Sequence, residues 1–597
     1  MLLSAKGMTK AFGAKEVLRN VDLEIDAGDR IGLVGPNGTG KSTLLKILTG
    51  EIKPDTGELT VRTARIAYLP QFHGLDDETL DQVLKDPFAP AEIARLEELE
   101  RLMSSAGDDS EVDLNELAAE YARLQEELAS KRGYIQEERK EKALVRLGMT
   151  DRPQEKRINE LSGGEATRVM LARVLVQADE AEIMILDEPT SHLDIETTES
   201  LEDFLRHYPG AVLAVSHDRY FLDRVAKEIW DLDSGTLTKY RGSYTEFAKK
   251  KELELEKQRI AYHKNQTERE RNLKIAEEQH LRLKYATTHK TRLKMVDRME
   301  EVDAPRKEKK LDIRLQAVAK SGKNVLTVKG FTVKRGGRRV LENIDLEIMQ
   351  GDRLGIFGAN GSGKTTLLLA LIGELGFEGE YWLAPGARWG YFAQGHDGLD
   401  PTLTPEQQLE QMLSEEEKRK ARGMLAQLLF TPQQVKTPIA NLSGGERAKV
   451  ALAMLTSEKS NLLFLDEPTN YLDLTSREAV ERAFKGFPET LVLVTHDRYL
   501  LDVACNKVAD LRNGRLRLFN GTYSEMKRSL PPSEVMAEAG VYRVVSGFTD
   551  WATRTKYRPG DKVGIAPSEV ERFRWALDAG KLKKGTGKEL KKVQRKI

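Results

Sequence analysis

The sequence predicts an α/β fold written twice along one chain of 597 residues. Three observations carry that expectation. The stretch Gly35-Pro36-Asn37-Gly38-Thr39-Gly40-Lys41-Ser42-Thr43 fits G-x-x-x-x-G-K-[ST], follows the strand-like Arg30-Ile31-Gly32-Leu33-Val34, and opens the helix-like Leu44-Leu45-Lys46-Ile47-Leu48. The arrangement returns as Gly358-Ala359-Asn360-Gly361-Ser362-Gly363-Lys364-Thr365-Thr366 after Leu354-Gly355-Ile356-Phe357. Behind each copy a train of shorter motifs follows in one order, so whole domains are repeated.

The strand–glycine loop–helix unit is a phosphate cradle, or P-loop. Its glycines let backbone N–H groups curl around an oxyanion, and the positive end of a helix faces that anion. Lys41 and Lys364 then neutralise β/γ-phosphates, and the Ser42 and Thr365 hydroxyls ligate Mg²⁺. The offset between copies starts at 323 (Lys41 to Lys364, Gln71 to Gln394). It falls to 281 between Ser162-Gly163-Gly164-Glu165 and Ser443-Gly444-Gly445-Glu446. It is 279 between Leu186-Asp187-Glu188-Pro189 and Leu465-Asp466-Glu467-Pro468, and between His217 and His496. Phosphoryl transfer to water needs charge neutralisation, a metal and a base beside the water. Asp187 and Asp466, ending apolar strands, can hold the metal's hydration shell; Glu188 and Glu467, one residue further, can accept the water's proton.

Composition narrows the classes. The 94 basic and 95 acidic residues leave a net charge of −1, so any nucleic-acid contact must lie in segregated patches. Cys505 is the only cysteine, which excludes disulfides, a Cys-rich zinc site and an Fe–S cluster. The chain opens on Met1-Leu2-Leu3-Ser4 with no apolar run of ~18 residues, so it is expected to be cytoplasmic.

The shrinking offset places 42 extra residues in the first copy, since Gln71 to Ser162 spans 91 positions and Gln394 to Ser443 only 49. They read as a helical hairpin at about 88–135, with Ile93, Leu96, Leu99 and Met103 and then Leu114, Leu117, Tyr121, Leu124 and Leu128 at helical spacing. Its acidic residues argue against RNA as that arm's direct partner. Residues 248–323 read as a linker. From Ala248 to His280 there is no Gly or Pro, which suits a long exposed helix, and a second helix carries Leu293, Val296 and Met299. Between them Arg282, Lys284, Lys290, Arg292, Lys294 and Arg298 cluster with Tyr285 and His289, an expected phosphate-contacting tip. The stretch 531–597 reads as a small module: a strand at Val541–Val545, a strand–turn–strand at Tyr557–Val563, a helix opened by Ser568 and Glu571, and a basic tail.

P-loop, glutamine loop, LSGGE signature, Asp-Glu pair and switch histidine, twice over, resemble tandem ABC-type ATPase domains. The resemblance spans about 1–247 and 324–530. It implies two tandem ABC-type P-loop ATPase domains with a helical arm insertion, a helical-hairpin linker and a small C-terminal α+β module. It also implies ATP and Mg²⁺ as ligands, with Gln71 and Gln394 at the metal and His217 and His496 at the γ-phosphate. The head-to-tail arrangement of the family implies that Ser443-Gly444-Gly445 closes over nucleotide at Lys41, and Ser162-Gly163-Gly164 over nucleotide at Lys364. With both glutamates present, both sites are expected to hydrolyse ATP. Phe12 stands where the family places an aromatic under the adenine, and Arg335 replaces it in the second copy. Ala166 and Ser191 depart from Arg447 and Asn470 of the second copy.

Tandem cassettes with an inserted arm and a basic helical linker are similar to the ABC-F group, whose members act on the ribosome beside tRNA and rRNA as monomers with internally paired cassettes. The alternative is a fused ATP-binding subunit of an ABC transporter, a class that lacks the long basic hairpin. Twin-cassette ATPases of DNA repair or ribosome recycling need metal-binding cysteines that Cys505 cannot supply.

Overall fold

The computed structural model describes residues 1–84 apart from 14, 64 and 71–78, residues 157–281 apart from 162, and residues 322–529 apart from 397. It also describes 99, 120–123, 139–144, 146, 147, 149, 311, 313 and 315, and the strand backbone beyond 540. In the first copy the strands are β1 (Leu3–Phe12), β2 (Lys15–Ile25), β3 (Arg30–Val34), β4 (Thr56–Val61), β5 (Ile66–Leu69), β6 (Ile183–Asp187), β7 (Ala211–Val215), β8 (Glu228–Asp233) and β9 (Thr236–Arg241). The second copy repeats them as β10 (Asn324–Arg335), β11 (Arg338–Met349), β12 (Arg353–Phe357), β13 (Glu378–Leu383), β14 (Trp389–Phe392), β15 (Leu462–Asp466), β16 (Thr490–Val494), β17 (Lys507–Arg512) and β18 (Arg515–Asn520).

Each copy has an antiparallel sheet, β2-β1-β4 or β11-β10-β13, and a six-stranded sheet, β5-β6-β7-β3-β8-β9 or β14-β15-β16-β12-β17-β18. Every pairing in the larger sheets is parallel except the last, β8 with β9 and β17 with β18. All five residues of β6 and of β7 are buried, as a strand covered on both faces requires. Alternation sends them to two cores. Ile183, Ile185 and Leu213 join Leu3, Leu18, Leu44 and Trp230 under the antiparallel sheet, while Met184, Leu186 and Val212 pack with Leu171, Leu201 and Phe221 of the helices. The parallel order brings the C-terminal ends of β3, β6 and β7 side by side, where ligands bind in such sheets.

One helix runs from Tyr244 to Leu281, 38 residues or ~57 Å. Tyr244 and Phe247 at its start are buried in the first copy's helical core. On the far side of the linker Leu311 and Ile313 are buried in the second copy's helical core, and Leu315 packs against it. That alternation of apolar residues, in Leu311-Asp312-Ile313-Arg314-Leu315, was read as linker from the sequence. The six basic residues from Arg282 to Arg298 lie outside the described residues, as does the expected second helix. Of the arm, Leu99 is helical and buried, and Glu120–Arg123 are helical. Its other apolar positions are outside the described residues.

The C-terminal strands correct one expectation. Thr555–Tyr557 and Lys562–Ile565 are both strands, but they do not pair with each other. The first pairs with Phe548–Asp550, the second with Gly540–Val544, whose other edge takes Leu582–Lys584. The two strands therefore belong to different small sheets. Ser568 and Glu571 lie outside the described residues.

Candidate functional site

Each glycine loop leaves the buried end of β3 or β12 and turns into a helix, Lys41–Leu48 or Lys364–Leu371. Gly40 and Gly363 cap these helices at φ 103° and 101°, a conformation closed to residues with a Cβ. Lys41 donates to the carbonyls of Gly35 (2.7 Å) and Pro36 (3.0 Å), and Lys364 to those of Gly358 (3.0 Å) and Ala359 (2.9 Å). Both ammonium groups are buried, which lowers their pKa. Asn37, Gly38, Thr39, Thr43, Gly361, Ser362 and Thr366 complete the loops. The Ser362 hydroxyl is buried without a partner.

The next strand end supplies carboxylates. Asp187 accepts from the Ser42 hydroxyl at 2.9 Å. In the second copy both Asp466 oxygens are buried with the Thr365 hydroxyl close beside them, and that hydroxyl donates to the Gln394 side chain at 3.4 Å. Burial raises Asp187 and pushes Asp466 up to about 6. Glu188 and Glu467 sit at φ 54° and 50°, an unusual region for a side chain of that size and a common signature of functional strain. Their backbone N–H groups donate to the carbonyls of Val215 and Val494 at 2.9 Å, pinning each turn to the next strand. One oxygen of each accepts from the backbone N–H of His217 or His496 at 3.3 Å. The other oxygen has no hydrogen bond, with the histidine Nε2 at 3.4 and 3.6 Å. Burial pushes Glu188 to about 7 and Glu467 to about 8, and holds both imidazoles neutral by lowering them to about 3. Unpartnered buried carboxylate oxygens beside a lysine cradle fit a phosphate ligand that arrives with a divalent cation.

The two copies face each other. The signature helix Gly444–Ser457 is capped by Ser443, whose N–H donates to Glu446 at 2.7 Å. The signature glycines lie against their own copy's loop after the Asp-Glu pair: a Cβ on Gly164 would meet His192 Cβ at 3.0 Å, and one on Gly445 the Tyr471 carbonyl oxygen at 2.8 Å. His192 and Tyr471 hold φ 63° and 65° and meet edge-on across the interface, 6.0 Å apart. The first copy's loop then reaches the second P-loop: Asn360 donates from its backbone to Asp194 at 3.0 Å and from its side chain to the His192 carbonyl at 2.9 Å. Gln71 and Ser162 lie outside the described residues; Gly163 begins the helix Gly163–Gln177. Phe12 and Arg335 occupy matching hairpin ends, paired with Lys15 and Arg338, and Phe12 is half exposed.

Sequence reasoning missed a set of cross-copy contacts. Arg498 pairs with Glu202, both almost fully buried, and reaches Asp218 at 3.2 Å. Its counterpart Arg219 pairs with Glu481 at 3.2 Å and Glu478 at 3.4 Å. Tyr220 hydrogen-bonds Asp502 and Ser524, and Arg477 donates to the His217 carbonyl at 3.2 Å. The signal was present as an arginine after His-Asp in both copies, but nothing in one sequence says that it pairs with the other copy.

The family model described as ABC transporter matches residues 18–191 and 341–470, and a companion model, also described as ABC transporter, matches residues 230–315. The chain is 32% identical to the energy-dependent translational throttle protein EttA of Mycobacterium tuberculosis, over 85% of this chain and 90% of that protein. It is 31% identical to the ribosome protection protein VmlR of Bacillus subtilis, over 85% and 86%. A solved complex of the archaeal ribosome recycling factor aABCE1 with the stalk protein aP1 superposes with a TM-score of 0.56, covering 96% of this chain and 98% of that one; at 21% identity this likeness shows the fold. With both cassettes matched by the family model and relatives above 30% identical over most of their length, the chain belongs to the ABC-F group of ABC-type ATPases.

Proposed function

We propose that this protein is an ATP-driven factor of the ribosome, in which ATP holds the two cassettes together and the linker reaches rRNA or tRNA. The observation that carries the proposal is the 38-residue helix rooted in the first cassette, which the sequence continues with Arg282, Lys284, Lys290, Arg292, Lys294 and Arg298, residues whose chemistry suits phosphate contact. The relatives' names, a translational throttle and a ribosome protection protein, support the same direction. Among the described residues no helix is long and apolar enough to cross a membrane.

In this reading Lys41 and Lys364 leave their loop carbonyls for β/γ-phosphates, and the loop N–H groups hold the remaining oxygens. Bound Mg²⁺, held through Ser42, Gln71 and Asp187 in one site and Thr365, Gln394 and Asp466 in the other, would supply charge neutralisation. Glu188 and Glu467 take the water's proton through the oxygen left unpartnered, and their raised pKa suits a base working near neutral pH. His217 and His496, neutral and beside those carboxylates, contact the γ-phosphate. Ser443-Gly444-Gly445 completes the site at Lys41, and Ser162-Gly163-Gly164 the site at Lys364; Phe12 and Arg335 stack on the bases. The protein works in the cytoplasm as a monomer.

Co-sedimentation tests the proposal. The protein should pellet with ribosomes in ATP and leave them in ADP. Equal partition in the two nucleotides, or none in either, would overturn it.

A further inference from the structure

We infer that Arg477 is a positioning residue for the first nucleotide site, supplied in trans by the second cassette, and that the two sites are inequivalent because the first cassette has nothing to return. The inference rests on the proposed roles of Glu188 and His217.

Several interface positions are matched at the 279-residue offset: Arg219 and Arg498 each pair with an acid of the other copy, Glu481 and Glu202, and His192 meets Tyr471. Arg477 has no such match. It lies in the helix Leu474–Gly486, which Asp473 caps by accepting from the Ser476 N–H. Asp194 caps the matching helix through Thr197, so the counterpart of Arg477 is Thr198. The Arg477 guanidinium ties three loops together. Its Nε donates to the Leu472 carbonyl at 3.0 Å, and Nη1 donates to the His217 carbonyl at 3.2 Å and lies 3.9 Å from Asp497. It thereby holds, from across the interface, the loop whose next contact is the His217 N–H to Glu188 bond. Thr198 is buried, and its one-carbon hydroxyl cannot span to the His496 carbonyl.

The second site is fastened differently. Asn360 of its P-loop makes both hydrogen bonds to the first cassette, through Asp194 and the His192 carbonyl. Asn37, the counterpart at offset 323, makes no hydrogen bond to the second cassette among the described residues. One site is clamped at its switch loop, the other at its phosphate loop. Among the described residues three charged groups face Glu188 (Arg477, Asp187 and Lys41), beside the neutral His217 whose backbone N–H it accepts. Of these only Arg477 comes from the other cassette.

The test uses full-length protein and two readouts. In single-turnover hydrolysis with Glu467→Gln present, so that the first site is read, Arg477→Thr should lower the rate roughly 10- to 100-fold, the usual effect of misplacing a catalytic group by about 1 Å. The ATP concentration at half-maximal rate should move less than about 3-fold, because Arg477 touches the switch loop and leaves Lys41 alone. With Glu188→Gln present instead, the same substitution should leave the second site within about 2-fold. Arg477→Lys, which keeps the charge and one donor, should recover part of the loss. Hydrogen exchange supplies an arm that is independent of catalysis: Arg477→Thr should speed exchange at 216–218, where a hydrogen bond is lost, well beyond any change at 495–497, where Arg477 only approaches Asp497 at 3.9 Å. Equal effects at both sites, or no effect at the first, in either readout overturn the inference. If Glu188→Gln with Glu467→Gln keeps full turnover while exchange still changes mainly at 216–218, the base assignment fails and the clamp stands.

Discussion

Replacing Arg498 with Met tests what holds the cassettes face to face. Arg498 and Glu202 are 2% and 0% exposed and meet through both guanidinium nitrogens, with the nearer contact to Oε1 and the other at 3.2 Å. The substitution leaves Glu202 with Arg224, 3.0 Å away but 40% exposed. Breaking one partner out of a buried pair costs ~3–5 kcal/mol, because the remaining charge is stranded. The carboxyl can escape by taking a proton. From its ordinary pKa of 4.5 that escape costs about 4 kcal/mol at pH 7.5, which caps the loss. With Arg224 retaining part of the interaction, a loss of ~3 kcal/mol is expected, roughly a 10²-fold shift of the pairing equilibrium. Burial already raises Glu202, so the sign with pH follows: the penalty is absent below about pH 4.5, where the carboxyl is neutral in both states, and grows by about 1.4 kcal/mol per unit above it. Dyes on Glu58→Cys and Glu380→Cys, both exposed, would report pairing by energy transfer, since buried Cys505 does not compete for label. The refuting control is Arg498→Met with Glu202→Met. Removing both charges should restore pairing, as apolar replacement of a buried pair is commonly neutral or better. A double variant no better than the single one, or a single one that pairs normally at pH 7.5, would refute the reasoning.

Lys41→Ala or Lys364→Ala should each cut steady-state ATP turnover strongly, because each site borrows a signature from the other cassette; near-normal turnover in either purified variant would contradict composite sites. Glu188→Gln with Glu467→Gln should keep nucleotide binding and slow hydrolysis ~10²–10⁴-fold, and the ATP-loaded protein should accumulate on ribosomes and inhibit translation in a purified system. Replacing Lys290, Arg292 and Lys294 with Ala should reduce the salt slope of ribosome association by about one unit per lost phosphate contact. Basal ATP hydrolysis should be unaffected.

The nucleotide-facing half of the molecule was legible because its chemistry is local. A glycine loop between a strand and a helix needs nothing from elsewhere, and Asp187 and Glu188 end a run that could only be a buried strand. The offsets exposed the duplication for the same reason. Contacts between the copies were not legible. Glu202 looks like any acid on an amphipathic helix, yet it is fully buried under Arg498 of the other cassette. The strands at 555–557 and 562–565 were foreseen, but a turn does not say whether its two strands pair with each other or with distant ones, and here the distant ones win. Leu311 and Ile313 alternate as a buried strand would, a pattern hidden inside a highly charged segment.

The linker's two roots have a mechanical consequence. Tyr244 and Phe247 are embedded in one cassette, Leu311 and Ile313 in the other, so the linker is anchored on both cassettes and its helix is rooted in the first. That helix is ~57 Å long and unbroken. If the first cassette tilts by about 10°, the far end of the helix at Leu281 sweeps ~10 Å, by the geometry of a rod of that length. In the proposed mechanism, a sub-nanometre rearrangement at the phosphates would be geared into a displacement the width of a helix at Leu281, tens of ångströms from where the chemistry happens.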